Sequence, residues 1–356
     1  MKKIVGISPW RNPNHKLLKE AGIEWVRLGF EFPFKDKVNG ELTDGYLNSL
    51  KEAREFYEAG FKIMGITPLT GVLQFDTKEK GKSTWQRGLP DWAGGIDEDC
   101  YYDTYEKACE KIGRDTADFI DLWQVSNEMD VTVFRGPMNI GQAARYCEAG
   151  AKGLKRGNGN ARTSMNPAGV TTDSVYLYKK LYTGQEKYFD YAGIDGYYGS
   201  WAPGRPEDWL WCIDKINEIT GAPVLINEWG YSSIGGKGFV TEDGAGGRGS
   251  LNRVIDSNEL VNTVDVVCNA QAWNNVWKNE HDEAEQAEYL AVCLKLFAGH
   301  PLVIGSFIYS WGDDTTCFHC GTEGCPAECG WGITDSKGRP KPAYYAVQEA
   351  VRKYYK

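Results

Sequence analysis

The chain has 356 residues, 42% of them hydrophobic and 25% charged, with a formal net charge of −9. That is enough apolar material for one sizeable core, and the sign of the charge repels phosphate backbones and argues against a nucleic-acid partner. Only four histidines are present, His15, His281, His300 and His319, which nearly excludes Ser-His-Asp chemistry and histidine-rich metal centres. Aromatic residues are abundant, with 13 Trp and 20 Tyr; such flat side chains at loop positions suit sugar rings or other planar apolar faces.

In chain order, eight short apolar runs read as strands: 3–8, 23–30, 61–67, 120–126, 161–165, 191–197, 223–228 and 302–309. Helical patterns alternate with them at 14–21, 44–59, 102–117, 141–155, 173–183, 206–220, 283–298 and 342–354. In the second helix Leu47, Leu50, Ala53 and Tyr57 share a face, and in the seventh Ala287, Leu290, Ala291, Leu294 and Ala298 do. Gly22, Gly60, Gly221 and Gly299 stand where a left-handed residue closes a helix. Eight β-then-α units in a row predict a single (β/α)8 barrel, an α/β fold filling residues 1–356 as one domain. A doubly wound sheet would carry a glycine-rich turn after its first strand, whereas this turn reads Ser8-Pro9-Trp10-Arg11-Asn12-Pro13. The excess length falls in two long loops, 71–100 after the third strand and 230–282 after the seventh. In a barrel those loops wall the catalytic face.

No run is long enough for a membrane-spanning helix, so no membrane partner is expected. Met1-Lys2-Lys3 is basic, but Ile4-Val5-Gly6-Ile7 is too short for a signal-peptide core and reads as the first strand. The expectation is a cytoplasmic protein or one whose signal has been removed.

The fourth strand runs Asp121-Leu122-Trp123-Gln124-Val125-Ser126-Asn127-Glu128, and the seventh Pro223-Val224-Leu225-Ile226-Asn227-Glu228-Trp229. Each apolar run ends in Asn-Glu at the carboxyl end of its strand, so Glu128 and Glu228 enter one cleft from nearly opposite sides of the barrel. A lone strand-end glutamate is as well explained by a surface ion pair. Two of them suit glycoside hydrolysis with retention, which places a nucleophile and an acid/base roughly 5–5.5 Å apart.

With these motifs the chain resembles the clan A glycoside hydrolases, retaining β-glycosidases on (β/α)8 barrels, along nearly its whole length in element order. The resemblance implies that Glu128 is the acid/base, Glu228 the nucleophile, and Asn127 a ligand of the sugar 2-hydroxyl. It implies that Arg27, in Trp25-Val26-Arg27-Leu28, stands beside the nucleophile and favours its ionised form. It also implies that the sixth strand, Gly193-Ile194-Asp195-Gly196-Tyr197-Tyr198, supplies a tyrosine whose hydroxyl meets the nucleophile; Tyr198 is preferred and Tyr197 is the alternative. The histidine that many clan members carry just before that tyrosine is missing here. On the eighth strand, Phe307-Ile308-Tyr309-Ser310-Trp311-Gly312, Trp311 matches the clan's platform tryptophan. Trp10, Trp201 and Trp229 are further substrate-binding candidates, with Trp85, Trp92 and Trp273 also in βα loops, and Asp195, Asp313, Asp314 and Glu31 are candidate hydroxyl ligands. The expected substrate is a β-linked plant-type oligo- or polysaccharide: mannan, galactan, xylan or glucan. No cofactor is expected for catalysis.

Of ten cysteines, Cys317, Cys320, Cys325 and Cys329 cluster in a loop spanning 317–329 after the eighth strand. That spacing suits a closed, structural zinc site, with His319 able to replace one ligand; two local disulfides are the rival. Cys109, Cys147, Cys212 and Cys293 fall inside helical patterns and read as buried thiols, which an oxidising compartment disfavours, so zinc is preferred. Gly235-Gly236-Lys237-Gly238 lacks the flanks of a phosphate loop. No strand ends in a lysine for Schiff-base chemistry. The reading from another class is a non-catalytic carbohydrate-binding barrel, or a scaffold built around the cysteine loop; a binder has no need of the paired glutamates.

Overall fold

The computed structural model describes residues 2–75, 83–184, 186–236, 275–317, 321 and 323–355. Most of the long loop after the seventh barrel strand, together with Trp273, His319 and Cys320, lies outside them.

The barrel is built from β1 (Ile4–Ile7), β2 (Trp25–Gly29), β3 (Lys62–Ile66), β6 (Leu122–Gln124), β7 (Arg162–Ser164), β8 (Ala192–Gly196), β9 (Val224–Trp229) and β10 (Val303–Ile308). All neighbours in the order β7-β6-β3-β2-β1-β10-β9-β8 pair in parallel. Between β7 and β8 the ring is joined by backbone bonds, Asp195 N to Pro167 O at 2.9 Å and Asp190 N to Thr163 O at 2.9 Å. The predicted (β/α)8 barrel is therefore the fold. Among the described residues eight helices cover it: α1 (His15–Glu20), α2 (Asp44–Glu58), α3 (Asp99–Asp115), α5 (Ile140–Gly157), α6 (Thr172–Tyr182), α7 (Asp208–Thr220), α8 (Glu283–Gly299) and α9 (Pro342–Tyr354). A short α4 (Thr132–Arg135) follows β6.

Local signals explain the helix boundaries. Asn14, Thr43, Asn139, Thr171 and Asp282 cap helix N-termini with their side chains, and Asn139 and Thr171 form capping boxes. Gly60 and Gly221 follow α2 and α7 with φ of 90° and 66°, as a left-handed terminator requires. Gly299 is instead the last residue of α8, and His300 follows it in an extended conformation. The loop after β3 contains an antiparallel hairpin, β4 (Gly71–Phe75) with β5 (Ser83–Arg87), that periodicity had not marked.

Alternation along the strands divides the side chains into layers. Ile4, Trp25, Met64, Leu122, Tyr191, Leu225 and Phe307 form one apolar cluster that plugs the barrel interior. Gly6 makes room for it, since a Cβ there would meet the Phe307 ring at 2.3 Å. The intervening residues, Val26, Ile63, Trp123, Val224 and Ile226 among them, belong to the larger cluster between barrel and helices. Two residues beyond Trp25, Leu122 and Leu225 stand Arg27, Gln124 and Asn227, buried at 2%, 0% and 0% exposure. The barrel thus changes from apolar to polar within one step along its strands, and this polar layer is the floor of the site.

Candidate active site

Arg27 organises the floor. Its Nη2 lies 2.5 Å from Glu228 Oε1 and donates to Asn127 Oδ1 at 3.0 Å, while Nε donates to Gln124 Oε1 at 2.9 Å. Asn227 Nδ2 donates to the same Gln124 oxygen at 2.9 Å. The other oxygen of Glu228 accepts from the Tyr197 hydroxyl at 2.6 Å. The register between β8 and β9 slips after Ile194, so that Asp195 stands opposite Glu228. A bulge of this kind re-aims side chains beside a site.

Glu128 is presented differently. β6 ends at Gln124, two residues short of the expected strand, because Ser126 and Glu128 take φ of 57° and 40°. Non-glycine residues rarely adopt that region, and such strain concentrates at functional sites. The turn is held from below: Thr67 Oγ1 accepts from Ser126 N at 2.8 Å and Asn166 Oδ1 from Glu128 N at 3.2 Å. Burial, then the charge of Glu228, then Asp130 push the Glu128 carboxyl well above the ordinary range. Asp130 itself is fully buried and, chiefly through burial, is raised to about 7.

Most of the expected residues do come together, with three corrections. The hydroxyl on Glu228 belongs to Tyr197, not Tyr198, whose hydroxyl lies 2.5 Å from Cys212 Sγ and whose ring meets Trp209 edge-on. Trp311 is no platform: it is fully buried, with its ring edge-on to Tyr344 of α9. The aromatic that β10 delivers to the cleft is Tyr309, partly exposed, its ring 5.2 Å from Trp10 and 6.0 Å from Tyr197. Trp229 is also fully buried, against Phe297 of α8, because it is the outward neighbour of the inward pair. Trp10 remains the exposed ring at the mouth, at 41%, and Trp201 packs against the cysteine cluster.

The acidic candidates divide in the same way. Asp195 joins the floor, Asp313 pairs with Lys341 at 3.1 Å, Asp314 pairs with Arg11, and Glu31 lies exposed beside Gly45. Three site residues escaped the sequence reading. Asn166, after β7, donates from Nδ2 to Asn127 Oδ1 at 2.8 Å and to Asp195 Oδ2 at 2.6 Å. Tyr309 is the second, and Glu328 is the third, its Oε2 accepting from the Tyr309 hydroxyl at 3.1 Å. Parity with Phe307 would have pointed to Tyr309; nothing local marks Glu328, which comes from the cysteine loop.

In that loop Cys317, Cys325 and Cys329 form one buried cluster with Ala327, against which Trp201 and Ile234 pack. Among the described residues no three His, Cys, Asp or Glu side chains are gathered as a metal site, and Cys320 lies outside them. Among the described residues, too, no helix is long and apolar enough to cross a membrane.

Comparison with known proteins is consistent at the level of fold. No family model matches the sequence and no curated protein does. Solved structures do resemble it. A family 39 glycoside hydrolase from Bacteroides cellulosilyticus WH2 superposes with a TM-score of 0.61 at 13% identity, over 98% of this chain and 63% of that one. A GH5_18 protein from Streptomyces cattleya, in complex with GlcNAc, gives 0.65 at 12% identity, over 99% and 80%. A fungal β-1,4-galactanase gives 0.63 at 12% identity, over 98% and 99%. The chain thus spans 63% of the family 39 structure and nearly all of the galactanase. The likeness is one of fold: the chain shares the (β/α)8 barrel of these glycoside hydrolases.

Proposed function

We propose that the chain is a retaining β-glycoside hydrolase that cleaves a β-linked plant-type oligo- or polysaccharide by double displacement. One observation carries the reading: two glutamates of one cleft stand in opposite environments. Glu228 is paired with a guanidinium and a tyrosine hydroxyl, whereas desolvation and negative neighbours push the Glu128 carboxyl well above the ordinary range. An attacking carboxylate and a proton-donating acid need that division. The neighbours supply the substrate classes to try, since one is a β-1,4-galactanase and another was solved with GlcNAc.

In the first step Glu228 attacks the anomeric carbon, Glu128 gives its proton to the departing glycosidic oxygen, and the bond between them breaks. In the second, Glu128 takes a proton from water, the water oxygen attacks the same carbon, and Glu228 is released, so the configuration is retained. Asn127 has its amide oxygen occupied by Arg27, Gln124 and Asn166, which turns its NH2 towards the sugar 2-hydroxyl. Trp10 and Tyr309 provide the stacking faces.

The test is a screen of aryl β-glycosides, followed by mannan, galactan, xylan and glucan with product analysis. Hydrolysis with β-configured first product supports the reading. Binding without hydrolysis across the panel overturns it in favour of a binding barrel. For the cysteine loop we propose a structural zinc on Cys317, Cys320, Cys325 and Cys329, supported by their spacing and by three of them sharing one buried cluster. Elemental analysis should then find about one zinc per chain; a metal-free protein with two disulfides would refute it.

A further inference from the structure

Asp195 occupies an unusual position. It is completely buried, and it stands opposite Glu228 across the β8–β9 register slip. Its Oδ2 accepts from Asn166 Nδ2 at 2.6 Å. Its Oδ1 is buried with no hydrogen-bond partner among the described residues. The groups facing it are Glu228 from β9, Glu128 from the turn after β6, and Arg27 from β2. Tyr197, just past the end of its own strand, and Tyr178 of α6 are close enough to feel its charge.

The charge count decides its state. Three carboxyls, those of Glu128, Glu228 and Asp195, share one buried cation, and Arg27 is in contact with Glu228. Like charges cannot all be held ionised in such a site, and an uncompensated buried carboxylate is costly. A neutral acid also fits the bonding pattern. Its carbonyl oxygen takes the Asn166 amide, and the other oxygen, which no donor approaches, carries no charge that would need one.

We propose that Asp195 is a positioning residue carried as a neutral carboxylic acid, which clamps Asn166 and through it the Asn127–Glu128 turn. Asn166 is a single amide that ties three parts of the site. Its NH2 bridges Asp195 and Asn127, and its oxygen holds the backbone N–H of Glu128. An anion at Asp195 would also hold Asn166, but it would add a second negative charge against Glu128. Burial and the neighbouring Glu228 and Glu128 raise the Asp195 carboxyl well above the ordinary range, in keeping with the neutral form.

The consequence for turnover rests on the glycosidase reading; the protonation state does not. The experiment therefore has two arms on the full chain. In the first, Asp195→Asn is the isosteric neutral copy. It should keep kcat/KM within a few-fold and leave the basic limb of the pH profile in place. Asp195→Ala, which releases Asn166, should lose about 100-fold, mostly in kcat, as a misplaced catalytic group does. If Asp195 were ionised, removing its charge would lower the proton affinity of Glu128, and the basic limb would move to lower pH in Asp195→Asn. That shift, or a loss in Asp195→Asn as large as in Asp195→Ala, overturns the proposal. In the second arm, infrared difference spectra of wild type minus Asp195→Asn at neutral pH should show a protonated-carboxyl band. An ionised-carboxylate band in its place overturns the proposal even if the alanine variant fails to fold. A wild type inactive on every glycoside but showing the protonated band would sink the enzymatic reading alone.

Discussion

Replacing Arg27 by methionine removes the cation on which the floor of the site is built. The loss is unevenly shared. Gln124 Oε1 keeps the Asn227 amide, and Asn127 Oδ1 keeps the Asn166 and Gln124 amides. Among the described residues Glu228 keeps only the Tyr197 hydroxyl. The cost therefore falls on one carboxylate beside two other carboxyls. Removing one partner of a buried ion pair costs about 3–5 kcal/mol. The Glu228 side chain retains 11% exposure at the cleft, so water softens the penalty towards the lower figure, about 3 kcal/mol. For a chain of this size that corresponds to a fall in Tm of roughly 4 °C. On the proposed mechanism, loss of orientation at Glu228 should lower kcat/KM by about 100-fold. The assay is a thermal melt with kinetics on an activated aryl β-glycoside, and it includes the double variant Arg27→Met/Glu228→Gln. With both charges gone, the double variant should melt above Arg27→Met alone, because no unpaired carboxylate remains. A double variant that melts as low as the sum of the two single losses would refute the argument, as would an Arg27→Met protein of wild-type stability.

Three further outcomes follow from particular contacts. Tyr197→Phe should lower kcat/KM by about 10- to 100-fold, through loss of a bond to a charged group worth about 1.5–3 kcal/mol, whereas Tyr198→Phe should leave it nearly unchanged; steady-state kinetics separate them. Trp10→Ala should raise KM with little change in Tm, while Trp311→Ala, which empties a core position, should cost about 3–5 kcal/mol of stability in denaturant melts. Asp130, raised to about 7 by burial, gives stability that is full below the ordinary carboxylate range and is lost as pH rises through about 7. The Tm of the wild type should therefore decline between pH 4 and 8 relative to Asp130→Asn, and parallel curves would contradict the assignment.

The barrel was legible because its signals are local and repeated. Strand runs, capping residues such as Asn139 and Thr171, and glycines such as Gly60 recur in order along the chain. The carboxylate pair was legible because Asn127-Glu128 closely follows the fourth barrel strand and Asn227-Glu228 lies at the end of the seventh. Parity held the rest of the polar layer: Arg27, Gln124 and Asn227 each lie two residues beyond a plug residue. The same parity carries Asp195 on to Tyr197, and choosing Tyr198 ignored it. Trp311 misled because the chain leaves the ladder after Ile308 and turns that ring onto α9, so Tyr309 inherits the cleft position. Asn166 and Glu328 were invisible for another reason. Their roles come from contacts made across the barrel mouth, 38 residues from Glu128 in one case and 19 from Tyr309 in the other, and no spacing rule reaches that far. The hairpin β4–β5 was missed because its strands alternate weakly and lie inside a loop.

The central claim is that Glu228 forms a bond to the sugar while Glu128 supplies the proton. The most direct measurement is to incubate the protein with a 2-deoxy-2-fluoro β-glycoside carrying a good leaving group, choosing the sugar from the hydrolysis screen, and to map the adduct by peptide mass spectrometry. The fluorine slows both steps, and the reactive leaving group restores the first, so the covalent glycosyl-enzyme accumulates. The account predicts one sugar per chain on the peptide containing Glu228, no adduct in Glu228→Gln, and rescue of Glu128→Ala by azide as the β-glycosyl azide. An adduct on another residue, or hydrolysis that yields the inverted product with no adduct at all, would contradict it.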